Sequence, residues 1–234
     1  MYGFNHRHHG AVKKMKQLVS SGKYGRVLWM RGRYGKSVDN SYFDTWRANG
    51  SQAGGGILLD QGIHMLDLFN HIGGGFDETR AFVSSLYWNL DTVEDNVFAI
   101  LKNSQTGLVA SLHSTMTQWR HLFSLEVFLE AGYMVLNGLK TSSGTYGDEV
   151  LTVAKNRSSA PAATWDDEES FTFSIDNSWE EETEHFVTSI VNDRPIKIGT
   201  SKDALKVMQL VDDIYSNENH AHSDLNQQLK TVLE

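Results

Sequence analysis

Five strand-like runs crowd into residues 79–136, and this succession narrows the possible folds more than any other feature of the chain. They are Thr79 to Trp88, Asp95 to Leu101, Gly107 to Thr117, Phe123 to Glu130 and Tyr133 to Leu136. The turn signals between them are short. Lys102 to Gly107 reads as one hairpin connection and Glu130-Ala131-Gly132 as another, too brief for a parallel crossover, so the pattern predicts an antiparallel sheet. Arg26 to Tyr34 adds an alternating strand upstream. A weaker strand pair flanks the polar stretch 154–164, with Phe171, Phe173 and Ile175 alternating after it. Helical spacing brackets the strands. Val12, Met15, Leu18 and Val19 mark a helix ending at Gly22. Ser178 opens another, and Thr200-Ser201 caps a third bearing Leu205, Met208, Leu210, Val211 and Ile214. The fold class is therefore α+β, an open, mainly antiparallel sheet with helices on one face. The other face, read as carrying Leu86, Trp88, Phe98 and Val127, predicts a homodimer or homotetramer.

Composition excludes several function classes. The 234 residues carry a formal charge of −8, against a nucleic-acid footprint, and Lys13, Lys14, Lys16, Lys23 and Arg26 read as one solvated face. Cysteine is absent, so neither disulfides nor thiolate metal sites arise. No apolar run reaches a membrane span and no secretory signal is recognisable, so the expected compartment is the cytoplasm.

Chemistry concentrates in Gly54-Gly55-Gly56-Ile57-Leu58-Leu59-Asp60-Gln61-Gly62-Ile63-His64-Met65-Leu66-Asp67, glycines leading into an apolar helix. On an α-helix Asp60, His64, Asp67 and His71 share one stripe, and Asp60 is placed to orient the His64 imidazole for proton transfer. In an arbitrary protein the same spacing more often marks a helix charge pair or a satisfied core histidine. A third reading makes Asp60, His64 and His71 ligands of a divalent metal, completed by His113 or His121. Trp46-Arg47, in the loop before the glycines, is a candidate ligand contact, or a pair that merely packs locally. His6, His8 and His9 fit a polar start to the first helix, and Glu94-Asp95 a turn before a strand.

Gly3-Phe4-Asn5-His6-Arg7, Trp46-Arg47, Gly54-Gly55-Gly56, Asp60, Gly62, His64 and Asp67 follow one another in an order that resembles the Gfo/Idh/MocA oxidoreductases. The resemblance implies a dinucleotide-binding Rossmann domain followed by a substrate-binding α+β domain. Residues 1–10 would be the end of the former and 11–234 the substrate-binding and oligomerisation domain. It implies NAD(P)-dependent oxidation of a sugar, cyclitol or sugar derivative, with His64 as acid/base and Asp60 its orienting partner. Trp46 and Arg47 would lie near the cofactor, and Asn5, Arg7, Arg33 and Tyr34 near the substrate; no metal is implied. The family's glycine-rich phosphate loop and its Glu-Lys-Pro motif are missing from this sequence. The resemblance thus implies a chain truncated relative to the family, inactive alone and without tight binding of NAD or NADP. The alternative is a non-catalytic oligomeric scaffold that keeps the open sheet as an assembly surface.

Overall fold

The chain's first strand, β1 (Val27–Ser37), lies in the middle of the sheet. The computed structural model describes residues 1–90, 92–157, 159–160 and 163–233, with side chains as far as Asn217. Within it β2 (Glu78–Ser84), β3 (Asn96–Lys102), β4 (Val109–Thr115), β5 (Thr117–Leu129), β6 (Gly132–Asn137), β7 (Glu149–Lys155) and β8 (Glu169–Phe173) follow. They form one open sheet in the order β2-β3-β4-β1-β5-β6-β7-β8. All neighbours are antiparallel except β1 and β4. The hairpins read from sequence are present, but β4 and β5 are not partners. Met116 carries the chain across the end of β1, which pairs Gly35 with Thr115 of β4 on one side and Ser37 with Thr117 of β5 on the other. Alternation reports which face a residue takes, not which strand lies beside it.

The helices are α1 (Gly10–Ser20), the single turn α2 (Gly50–Ala53), α3 (Ile63–Gly73), α4 (Ser178–Val191) and α5 (Ser201–Leu233). Helix α3 lies over β1 and β4, and α5 packs on α3 and β2. The period of two along β1 decides what α3 meets: Met30, Gly32 and Tyr34 are buried, whereas Trp29, Arg31 and Arg33 are exposed. Gly32 is required by that contact, since a Cβ there would fall 2.5 Å from Met65 and 2.8 Å from Phe69. Around it Met30, Leu66, Phe69, Leu112 and Leu125 are almost fully buried, each worth roughly 1.5–3 kcal/mol in apolar surface removed from water. Among the described residues no helix is long and apolar enough to cross a membrane.

Two expectations are corrected. Strand β2 ends at Ser84 rather than Trp88, because the buried Asp95 carboxylate accepts the backbone N–H groups of Leu86, Tyr87 and Trp88 and draws them into a turn. Val127 points into the helix-covered core, and its neighbour Phe128 takes the open face, stacked on Trp29 at 4.0 Å. Phe98 is on the open face as expected, stacked on His113 at 3.8 Å, with Phe82 and Ile100 also exposed.

Candidate active site

The segment after the three glycines begins not as an α-helix but as a π turn over Leu58–Gly62, which passes into α3. Glu94 fixes its start. Its carboxylate accepts from Gly56 N at 2.7 Å, Leu58 N at 2.8 Å and the Tyr215 hydroxyl at 3.0 Å. A Cβ on residue 56 would overlap the Glu94 backbone carbonyl, so only glycine allows this approach. The residues read as a turn, Glu94 and Asp95, are thus buried anchors for two loops.

A π turn closes i to i+5 and inserts one residue into the helical ladder, which re-phases Asp60 relative to α3. Asp60 accordingly does not hydrogen-bond His64. Its Oδ2 meets the Lys36 ammonium and its Oδ1 lies 3.3 Å from Arg47 Nε. Lys36 also sits over the Tyr42 ring at 5.1 Å, and the Arg47 guanidinium over Trp46 at 4.5 Å. Tyr42 donates to the Arg47 carbonyl at 3.2 Å, and burial pushes its hydroxyl up to about 12. Trp46 itself is exposed.

His64 is half-buried, and its Nδ1 is sealed without a hydrogen-bond partner among the described residues. Nε2 is not sealed in this way. Burial draws the imidazole down to about 4, offset in part by the Asp60 charge and reinforced by His9. One face of the ring lies against His6, centroids 4.1 Å apart and planes 18° from parallel. His6 is buried and held well below the usual histidine range by burial, then by the charges of His64 and His9. Its Nδ1 is 3.1 Å from Asn5 Oδ1 and its Nε2 3.1 Å from the Tyr34 hydroxyl. Tyr34 also packs edge-on against Tyr146 at 5.4 Å. Gln61 donates to the Tyr146 hydroxyl, which burial pushes up to about 12.

The fold thus gathers His64, Asp60, Arg47, Tyr34 and Asn5 around one corner, with Trp46 at its rim. Arg7 and Arg33 are placed elsewhere. Arg7 is buried beneath α3, forked onto Asp67 at 2.6 and 2.8 Å and 3.4 Å from Asp203, so its guanidinium is occupied inside the protein. Arg33 projects from the exposed face of β1. Asp67 faces Arg7 rather than His64, and the His71 carbonyl accepts from Lys16 Nζ. The three-ligand metal reading is not assembled: His113 stacks on the open face, His121 packs on Tyr146 at 4.9 Å, and no group of three or more potential ligands occurs among the described residues.

Sequence reasoning missed Lys36, Gln61, Tyr146 and the stack of His6 on His64. Lys36 was within reach, two residues beyond Tyr34 on the same face of β1. Tyr146 was not. It comes from the loop between β6 and β7, and nothing local announces its contact with Gln61.

A family model described as the GFO/IDH/MocA C-terminal domain matches residues 12–135. The chain belongs to this family. Levoglucosan dehydrogenase of Pseudarthrobacter phenanthrenivorans is 34% identical over 87 residues, 36% of this chain and 22% of that enzyme. A solved levoglucosan dehydrogenase in complex with NADH and levoglucosan superposes with a TM-score of 0.76 at 21% identity, over 93% of this chain and 63% of that one. An aldose-aldose oxidoreductase from Caulobacter crescentus, complexed with glycerol, gives 0.74 at 21% identity over 94% and 62%. At these identities the structural likeness is one of fold. The chain spans under two thirds of the length of the solved relatives.

The family implies a nicotinamide dinucleotide, and the Gly54–Gly56 turn of this chain does not fit its pyrophosphate. A dinucleotide pyrophosphate needs free amides at a glycine-rich helix start. At the Gly54–Gly56 turn the amides of Gly56 and Leu58 are already taken by the Glu94 carboxylate, whose charge would repel phosphate.

Proposed function

We propose that this chain is the substrate-binding half of an NAD(P)-dependent oxidoreductase acting on a sugar, cyclitol or sugar derivative. The observation that carries the reading is a half-buried His64, its pKa drawn down by burial and its Nδ1 sealed without a partner among the described residues, set in a corner lined by Lys36, Asp60, Tyr34, Gln61 and Tyr146. Such a lining suits a polyol, which offers several hydroxyl groups as donors and acceptors at once. His64 takes the proton of the hydroxyl on the carbon being oxidised and returns it in the reverse direction. Asp60 acts with Lys36 and Arg47 as a charged clamp at the edge, and Trp46 with Arg47 forms the side facing the cofactor. Asn5 acts through His6. The nicotinamide group, held by a dinucleotide-binding domain outside this chain, would supply the hydride acceptor.

The names of the structural relatives support the same class, since one was solved with NADH and levoglucosan and another with glycerol. On this reading the chain alone neither binds NAD tightly nor turns over. The exposed aromatic face of the sheet, with Trp29, Phe82, Phe98 and Phe128, is its surface for self-association. The test is calorimetric titration of the chain with NAD, paired with turnover measurements on a protein that joins it to a dinucleotide-binding domain. No tight binding is expected in the first, and loss of turnover in His64→Ala in the second. Retained turnover in that variant rejects the assignment.

A further inference from the structure

A reacting imidazole is ordinarily aimed by a hydrogen bond on the ring nitrogen that does not react. His64 lacks one. Its Nδ1 is buried without a partner, and the nearby carboxylate, Asp60, is engaged by Lys36 and Arg47. What holds the plane of the ring is the neighbour lying flat against it. We propose that His6 is a positioning residue for His64, a rigid plate gripped at both nitrogens that sets the plane of the reacting imidazole.

The grip fixes the state of the plate. Asn5 Oδ1 can only accept, so the His6 proton sits on Nδ1 and its Nε2 accepts from the Tyr34 hydroxyl. Asn5 is held in turn by its amide donating to Ser178 Oγ at 3.1 Å. His6 therefore has no free nitrogen with which to exchange protons, and its contribution to His64 is shape and exclusion of water. The titratable groups bearing on His64 are His6 and His9 from the start of the chain and Asp60 from the π turn. Lys36 reaches in from β1 and neutralises Asp60.

The inference rests on the role proposed for His64, but its test reads the ring directly in this chain and needs no turnover. Histidine-labelled protein is titrated by NMR as wild type, His6→Ala, His6→Phe and Tyr34→Phe. Opening the stacked face to water in His6→Ala is expected to raise the His64 midpoint by about one pH unit or more, tenfold in proton affinity, and to broaden its ring signals. His6→Phe, which restores a flat ring, is expected to keep both near wild type. Tyr34→Phe frees one edge of the plate and is expected to broaden the signals of both rings. A His64 that titrates unchanged in folded His6→Ala, or moves equally in His6→Ala and His6→Phe, overturns the proposal. Should His6→Ala fail to fold, Tyr34→Phe decides: altered His64 signals support it and unaltered ones refute it. Unaltered signals together with lost turnover in His64→Ala would reject the positioning role and leave the proposed function standing.

Discussion

Replacing Glu94 by alanine should loosen the segment that presents His64, and the size of the effect follows from what the carboxylate holds. It accepts from two backbone amides at the start of the π turn and from the Tyr215 hydroxyl, all within 3.0 Å. Glu94 is itself buried, so the amides of Gly56 and Leu58 gain no ready access to water when it is removed. Each orphaned buried donor costs about 1–3 kcal/mol, and loss of a negative charge at a helix start adds about 0.3–1 kcal/mol. Allowing for partial relaxation, the expected loss is about 3–5 kcal/mol. For a domain of this size each kcal/mol lowers the melting temperature by about 2–4 °C, so Tm should fall by about 6–20 °C. Glu94→Gln keeps one acceptor and the side-chain volume, and should lose about half as much. Calorimetry on the three proteins checks the series. A Glu94→Ala protein melting within about 2 °C of wild type would refute the claim that this carboxylate anchors the turn.

Arg7→Met removes the fork on Asp67 and strands a buried carboxylate, for an expected destabilisation of about 3–5 kcal/mol in urea unfolding; Arg7→Met/Asp67→Leu should recover much of it. Were Arg7 mainly a substrate contact, the single variant would keep its stability. His64 and His71 are both drawn by burial to about 4, below the ordinary 6.5, so the unfolded chain binds more protons between those values. Their contribution to stability should therefore be level above about pH 6.5 and decline as the pH falls towards 4, by up to about 3 kcal/mol for each ring, against the opposite trend of Asp67, which burial raises to about 6; the part due to His71 is the difference between wild type and His71→Gln. Lys36→Met leaves Arg47 as the one cation paired with Asp60 among the described residues, strengthens the Asp60 charge felt by His64 and should raise the His64 midpoint in an NMR titration. Phe98→Glu on the open face should shift the protein towards monomer in size-exclusion chromatography with light scattering, while leaving Tm nearly unchanged.

The α+β class and the one-sided covering of the sheet were legible because they depend on local periodicity. Met30, Gly32 and Tyr34 alternate with Trp29, Arg31 and Arg33 whatever strands lie beside them. The His64 segment was legible as a place, since glycines followed by an apolar run holding Asp and His are rare enough to notice. Its geometry was not. The start of the turn is held by Glu94, more than thirty residues away, and its π closure leaves Asp60 apart from the His64 nitrogen it was expected to orient. Long-range partners explain the other misses as well. Arg7 reads as a free cation until Asp67 and Asp203 arrive beside it, and His6 reads as part of a polar helix start until folding lays it against His64. Val127 was misassigned by one step of register, a slip that in a strand exchanges the two faces.

The central position of β1 bears on how the protein is made. Its two hydrogen-bonding edges are filled by β4 and β5, which end at Thr115 and Leu129, so a growing chain carries this strand bare for most of a hundred further residues. At ordinary elongation rates that interval is roughly 5–20 s. Arg31 and Arg33 put charge on the strand throughout, which discourages it from pairing with a neighbouring nascent chain before its own partners emerge.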